Sequence, residues 1–178
     1  MHFSLPTKYY FINEFKEKHI QSLEKNIALI YRNYDEKINI NTIIKIKKVC
    51  KYLKKKFFIS NYIKLAIQLD LDGVYIPSFN KKININFYSK KKKFIILGSA
   101  HNIKEIRIKE KQNVSCIFLS PLFKVKKTKK YLDIHKFNYL SKYTKKKIVC
   151  LGGLKKSNLN KTNMLNKHGI ASISLFKE

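Results

Sequence analysis

Leu151-Gly152-Gly153-Leu154 sets two adjacent glycines at the start of a helical pattern. Glycine has no Cβ, so its backbone N–H can approach an anion closely, and a helix N-terminus adds partial positive charge. That combination suits a phosphate; a plain strand-to-helix turn requiring positive φ is the other reading of the same pair. More small, polar or cationic residues fall where short apolar runs end. They are Arg32, Ser60-Asn61, Pro77-Ser78-Phe79-Asn80, Ser99-Ala100-His101-Asn102, Ser120-Pro121-Leu122-Phe123 and Ser174. Together they fit an anionic ligand. His101 receives no chemical role, because a lone histidine at such a place is more often a hydrogen-bonded structural residue. No triad-like arrangement stands out. Cys50, Cys116 and Cys150 are widely spaced, contain no CxxC pair and read as small buried hydrophobes.

The elements that must carry these residues alternate. Apolar runs rich in Ile, Val, Phe and Tyr occupy residues 9–12, 27–31, 57–60, 73–76, 94–98, 116–120, 148–151 and 171–175. Between them lie helical spacings. Ile43, Ile46, Val49, Cys50 and Leu53 form one face, and Leu132, Phe137 and Leu140 a second. Residues 158–167 form a third, capped by Ser157 or Asn158 and stopped at Gly169. Repeated strand–helix–strand order implies a parallel sheet, and eight strands favour closure. The expected fold is α/β, a compact (β/α)8 TIM barrel forming one domain over residues 1–178. Functional groups then sit at the C-terminal ends of the strands. The chain is short for this fold, where about 200 residues is near the lower limit. Phe176 is followed by two residues, so the last helix is expected to be missing. A homodimer partner is one way to cover the bare side.

The formal net charge of +28 comes from 39 basic residues, of which only Arg32 and Arg107 are arginine. Nucleic-acid readers usually use the guanidinium fork as well as lysine. Lysine runs at residues 90–93, 126–130 and 145–147 separate apolar segments, as solvated faces do. Compositional drift and solubility account for most of the charge, and attraction of phosphorylated metabolites for the rest. A basic nucleic-acid-binding protein is the least favoured reading. No apolar run approaches the roughly 20 residues that span a bilayer, and the N-terminus is a poor secretion signal, so a cytoplasmic location is expected.

The order Asp72-Gly73-Val74, Ser99-Ala100-His101, Pro121-Leu122-Phe123 and Leu151-Gly152-Gly153-Leu154 resembles the thiamine phosphate synthase and TenI-like family. The resemblance runs roughly from Ile27 to Phe176. It implies a transferase of thiamine biosynthesis that joins an aminopyrimidine diphosphate to a thiazole phosphate and releases pyrophosphate. Magnesium and cations would assist the leaving group, so that catalysis is mostly electrostatic. The resemblance puts Arg32 and Ser99 on the pyrimidine diphosphate and Thr128-Lys129 on the pyrophosphate. It puts Gly153 and Ser174 on the thiazole phosphate. Arg32, Ser99 and Lys129 would carry catalysis.

Departures accompany the match. The family's Gln and Lys around its arginine are Ile30 and Tyr34, and its DGVH histidine is Tyr75. The loop after Phe123 is one residue longer. The two magnesium-binding aspartates fall at Asn61 and Asn80, whose neutral amides bind Mg2+ far more weakly. The general-base histidine of the TenI branch falls at Pro121, which cannot transfer protons and agrees with the synthase pattern. The reading is therefore a synthase-like enzyme. The alternative is a catalytically degenerate barrel that binds thiazole phosphate or thiamine phosphate.

Overall fold

A computed structural model describes residues 4–34, 38–83, 93–126, 128 and 130–177. Eight parallel strands pair in sequence order, and the last pairs with the first, closing a barrel. They are β1 (Lys8–Ile12), β2 (Ile27–Tyr31), β3 (Phe57–Ser60), β4 (Gly73–Ile76), β5 (Ile95–Ala100), β6 (Cys116–Leu119), β7 (Lys147–Leu151) and β8 (Gly169–Ser172). The helices are α1 (Glu17–Ser22), α2 (Ile40–Tyr52), α3 (Ile63–Gln68), α4 (Ile103–Lys111) and α5 (Asp133–Ser141), with a 3-10 helix at Lys156–Met164. This is the expected TIM-barrel class. Residues 173–177, after β8, form no helix.

Period-two alternation splits the apolar residues into two cores. Tyr9, Phe11, Ile30, Phe58, Tyr75, Leu97, Phe118, Val149 and Leu151 fill the barrel interior. Tyr10, Leu29, Ile59, Val74, Ile96, Ile117 and Cys150 face outward and pack under Ile43 and Ile46 of α2, Ile106 of α4 and Phe137 of α5. The strands are buried on both faces, which explains why they read as continuous apolar runs. The interior centre is aromatic. Phe11 meets Tyr75 edge-on at 5.1 Å, and Tyr75 meets Phe118 at 5.4 Å.

β1, β6 and β7 differ from the expected runs by one residue, and three elements shift further. β5 begins at Ile95 and continues through Ser99 to Ala100, so Ser99 is a strand residue and not a loop residue. β8 is Gly169–Ser172, so most of the 171–175 run lies beyond the strand. The helix expected over residues 158–167 is a 3-10 helix that starts at Lys156 and ends at Met164, well before Gly169. Its expected cap moves as well. Asn158 accepts from the Lys155 N–H at 2.9 Å and donates to the Gly153 carbonyl at 2.8 Å, bending the entry tightly.

Asp72 of the Asp72-Gly73-Val74 motif sits at the opposite end of β4 from the functional loops. Its carboxylate accepts from the Phe57 N–H at 3.0 Å and from Lys56 Nζ at 2.6 Å, joining β3 to β4. This part of the motif is architectural. The three cysteines are buried and unbonded, and burial pushes each thiol up to about 12.

Candidate active site at the C-terminal mouth of the barrel

Alternation along β2 sends Ala28 and Ile30 inward, and the next inward position, past the strand end, is Arg32. Its N–H donates to the Ile12 carbonyl at 2.7 Å, which fixes the backbone against β1. The guanidinium carbon lies 4.7 Å from the Phe11 ring centroid and 5.8 Å from that of Tyr34. No carboxylate among the described residues forms an ion pair with Arg32. A charge held on aromatic faces and unpaired among the described residues can receive an anion.

Ser99 is buried and points inward beside the Tyr75 hydroxyl, with which it hydrogen-bonds. Burial pushes the Tyr75 phenol well above its ordinary range, and the Ser99 bond opposes that shift. Tyr75 therefore stays protonated beside the Ser99 hydroxyl. The Tyr34 hydroxyl lies 2.7 Å from Ser60 Oγ, and its ring meets Phe79 at 5.6 Å. Burial raises the Tyr34 pKa, against the Ser60 hydrogen bond and Arg32.

His101 ties three loops together. Its Nδ1 lies 2.6 Å from the Ser120 carbonyl oxygen, an acceptor, so Nδ1 carries the proton. Nε2, 3.0 Å from Ser78 Oγ, then accepts from that hydroxyl. The His101 N–H donates to Glu105, and Asn102 caps α4 by accepting from the Glu105 N–H at 3.0 Å. This reciprocal cap fixes the Ser99–Asn102 segment.

Gly152 and Gly153 have φ of +96° and +71°. A Cβ on Gly153 would lie 2.6 Å from the Phe123 carbonyl oxygen, so the bare glycine lets this loop lie directly against the one after β6. Phe123 N–H donates to the Gly152 carbonyl at 3.1 Å. No acceptor among the described residues takes the N–H groups of Gly153 and Leu154. The positive-φ turn and the N–H groups of Gly153 and Leu154 are compatible with both readings. Ser174 lies two residues past β8. Its Oγ donates to the Leu154 carbonyl at 3.4 Å, and its N–H donates to Ser172 Oγ at 3.2 Å.

Thr128 is exposed and closes a turn, with Thr128 N–H to the Val125 carbonyl at 3.4 Å. Lys129 lies outside the described residues. Thr128 shares an open basin with Lys124, Lys126, Tyr131 and Lys155. Lys155, between the Gly-Gly turn and the 3-10 helix, was not anticipated from the sequence, where it reads as one more surface lysine.

Asn61 and Asn80 do come together, with Asn80 Nδ2 donating to Asn61 Oδ1 at 2.7 Å. Asn80 Oδ1 accepts from the Lys82 N–H at 3.0 Å. Both amide oxygens that could ligate Mg2+ are occupied by protein donors, and neither carries charge. Among the described residues no group of three or more His, Cys, Asp or Glu side chains could hold a metal ion. These residues do not fit a magnesium site.

Beneath that pair lies a feature that sequence reading missed. Lys109 of α4 is fully buried, and its Nζ donates to the carbonyls of Pro77 (2.8 Å) and Asn80 (3.0 Å) and to Gln112 Oε1 (2.9 Å). Gln112, also buried, donates to the carbonyls of Asn80 and Lys82, each at 2.9 Å. Desolvation lowers the Lys109 pKa to about 8, against the nearby Glu105. In a lysine-rich helix the sequence offered no signal that this one turns inward.

The molecule is thus of the parallel-barrel class, with Arg32, Ser99 and the Gly152-Gly153 turn at the C-terminal ends of its strands. The family described as "Thiamine monophosphate synthase" matches residues 13–176, and the chain belongs to that family. It is 26% identical over 175 residues to a thiamine-phosphate synthase of Prochlorococcus marinus subsp. pastoris, covering 93% of this chain and 49% of that protein. It is 26% identical over 142 residues to one from Thermoplasma acidophilum, covering 77% and 65%. The chain therefore spans about half to two-thirds of the length of these relatives. Among solved structures, a thiamine phosphate pyrophosphorylase from Pyrococcus furiosus superposes with a TM-score of 0.75 at 18% identity, covering 95% and 86% of the two chains. A phosphoribosylanthranilate isomerase from the same organism gives 0.68 at 10% identity, covering 97% and 90%. At such identities the superpositions speak for the fold. No helix among the described residues is long and apolar enough to cross a membrane.

Proposed function

We propose that this chain is a thiamine phosphate synthase-like transferase acting on two phosphorylated substrates. In this reading the C–O bond between the pyrimidine methylene and its diphosphate breaks, and pyrophosphate leaves with the bonding pair. The thiazole nitrogen lone pair then forms the new C–N bond, giving thiamine phosphate. No protein nucleophile is needed. The task of the protein is to hold two anions and to stabilise charge on the leaving group.

The observation that carries the reading is Arg32, stacked on Phe11 with no carboxylate partner among the described residues, at the mouth that also presents the inward Ser99 hydroxyl. Arg32 and Ser99 bind the diphosphate. Thr128, Lys129 and the neighbouring Lys124 and Lys126 take up charge on the leaving pyrophosphate. The N–H groups of Gly153 and Leu154 hold the thiazole phosphate, and Ser174 steadies them through the Leu154 carbonyl.

A second reading, a barrel that binds thiazole phosphate or thiamine phosphate without turnover, is favoured by the amide pair at Asn61 and Asn80. One assay separates the two. The purified chain is incubated with both precursors, with and without Mg2+, and thiamine phosphate and pyrophosphate are quantified. Product supports the transferase. Thiazole phosphate bound with no product under either condition rejects it in favour of the binding reading.

A further inference from the structure

The contact between Asn61 and Asn80 joins the loop after β3 to the loop after β4. Asn80 is held in one orientation, because its Oδ1 accepts from the Lys82 N–H and its Nδ2 must therefore face Asn61. Asn61 answers with its oxygen from a backbone at φ +69°, a left-handed conformation that asparagine tolerates better than most residues. Two carboxylates could not meet this way. Both would be acceptors of like charge, and they would need a cation or a proton between them.

The Asn80 loop is also braced from below. Its Pro77 and Asn80 carbonyls take hydrogen bonds from the buried Lys109 ammonium, and Gln112 holds the Asn80 and Lys82 carbonyls. The positive charge next to this loop is thus covalently part of α4. We propose that Asn61 and Asn80, braced by Lys109 and Gln112, form a metal-free clasp that fixes the two loops where a carboxylate pair would depend on a bound divalent cation. The clasp orders the mouth whatever substrate enters it, so it stands or falls separately from the transferase reading.

Donor–acceptor matching gives the test. Asn61→Asp keeps an acceptor for Asn80 Nδ2. Asn80→Asp keeps an acceptor for the Lys82 N–H, and Asn61 can turn its Nδ2 toward the new carboxylate. Each single variant should melt within about 1 °C of the parent, in EDTA or in Mg2+. The double variant places two carboxylates face to face. It should melt several degrees lower in EDTA and recover in about 5 mM Mg2+, with a matching binding isotherm. The parent chain should shift by less than about 1 °C in the same Mg2+. The proposal is overturned if the single-variant effects simply add in the double variant. It is also overturned if Mg2+ raises the parent's melting temperature by several degrees in a manner that Asn61→Ala removes. Circular dichroism at 20 °C confirms folding of the double variant. Should it be unfolded in EDTA, refolding on Mg2+ addition supports the clasp and failure to refold overturns it.

Discussion

The Arg32 guanidinium stands 4.7 Å from the Phe11 ring centroid, so a residue at the end of β2 is aimed by an aromatic face from β1. Arg32→Lys keeps the charge but loses the planar stack and the two-pronged donor set. Pyrophosphate affinity measured by calorimetry should fall about tenfold, ~1.4 kcal/mol, with little change in melting temperature. Equal affinity in the lysine variant would show that charge alone matters at this position.

Gly153 touches the loop after β6 through bare backbone, at φ +71°. Gly153→Ala must strain that φ and push the Phe123 carbonyl away. A loss of about 1–3 kcal/mol in urea unfolding is expected, together with weaker binding of thiazole phosphate. Phe137→Leu, in the outer core under α5, serves as the control: it should destabilise without the selective loss of phosphate binding.

The pH dependence of stability should carry the signature of Lys109, whose pKa is lowered to about 8 by burial. Unfolded, the same amine titrates near its ordinary 10.5. Between these values the unfolded chain binds more protons than the folded one, so folding stability rises with pH across that window and is flat below it. Lys109→Met removes the slope but leaves the Pro77 carbonyl and Gln112 Oε1 without their donor. Melting curves of both proteins from pH 7 to 10.5 should diverge in favour of the parent as pH rises. Parallel curves would mean that Lys109 is solvated in solution.

His101 donates to the Ser120 carbonyl and accepts from Ser78, so it fastens loops and leaves no ring nitrogen free for proton transfer. His101→Ala should speed amide exchange across residues 77–80 and 120–122 and cost about 1–2 kcal/mol. If turnover is found, kcat for His101→Gln should fall less than for His101→Ala. A larger loss for glutamine would assign the ring a chemical role.

The strands were legible because a closed parallel barrel buries both of their faces. β2, β3 and β4 read as unbroken apolar runs with their observed bounds. β5 was cut short in the sequence because Ser99 is polar, yet it faces inward at the mouth, where a polar side chain can be satisfied by Tyr75. The helix after β7 was misjudged because Asn158 folds back onto Lys155 and Gly153, a local bond that composition does not announce. Gly152-Gly153, Arg32 and Ser99 could be found from their positions at strand ends. The resemblance implied that Asn61 and Asn80 share a site, but not their direct hydrogen bond, which joins loops whose spacing depends on barrel register. Lys109 and Gln112 were invisible for a different reason, because inward and outward lysines share one letter in a helix that also holds Lys104 and Lys111.

Gly98 gives that last point a longer reach. A Cβ there would come within 2.9 Å of Lys109 Cδ and 2.8 Å of a Val114 methyl, so the strand leaves a slot that the lysine stem fills. Position 98 and position 109 are therefore two halves of one lock. In a chain where lysine is common enough to be exchanged almost anywhere on the surface, Lys109 is tied to Gly98. Related chains that carry a larger residue at the first position should carry a shorter one at the second, and should find another way to hold the Asn80 loop.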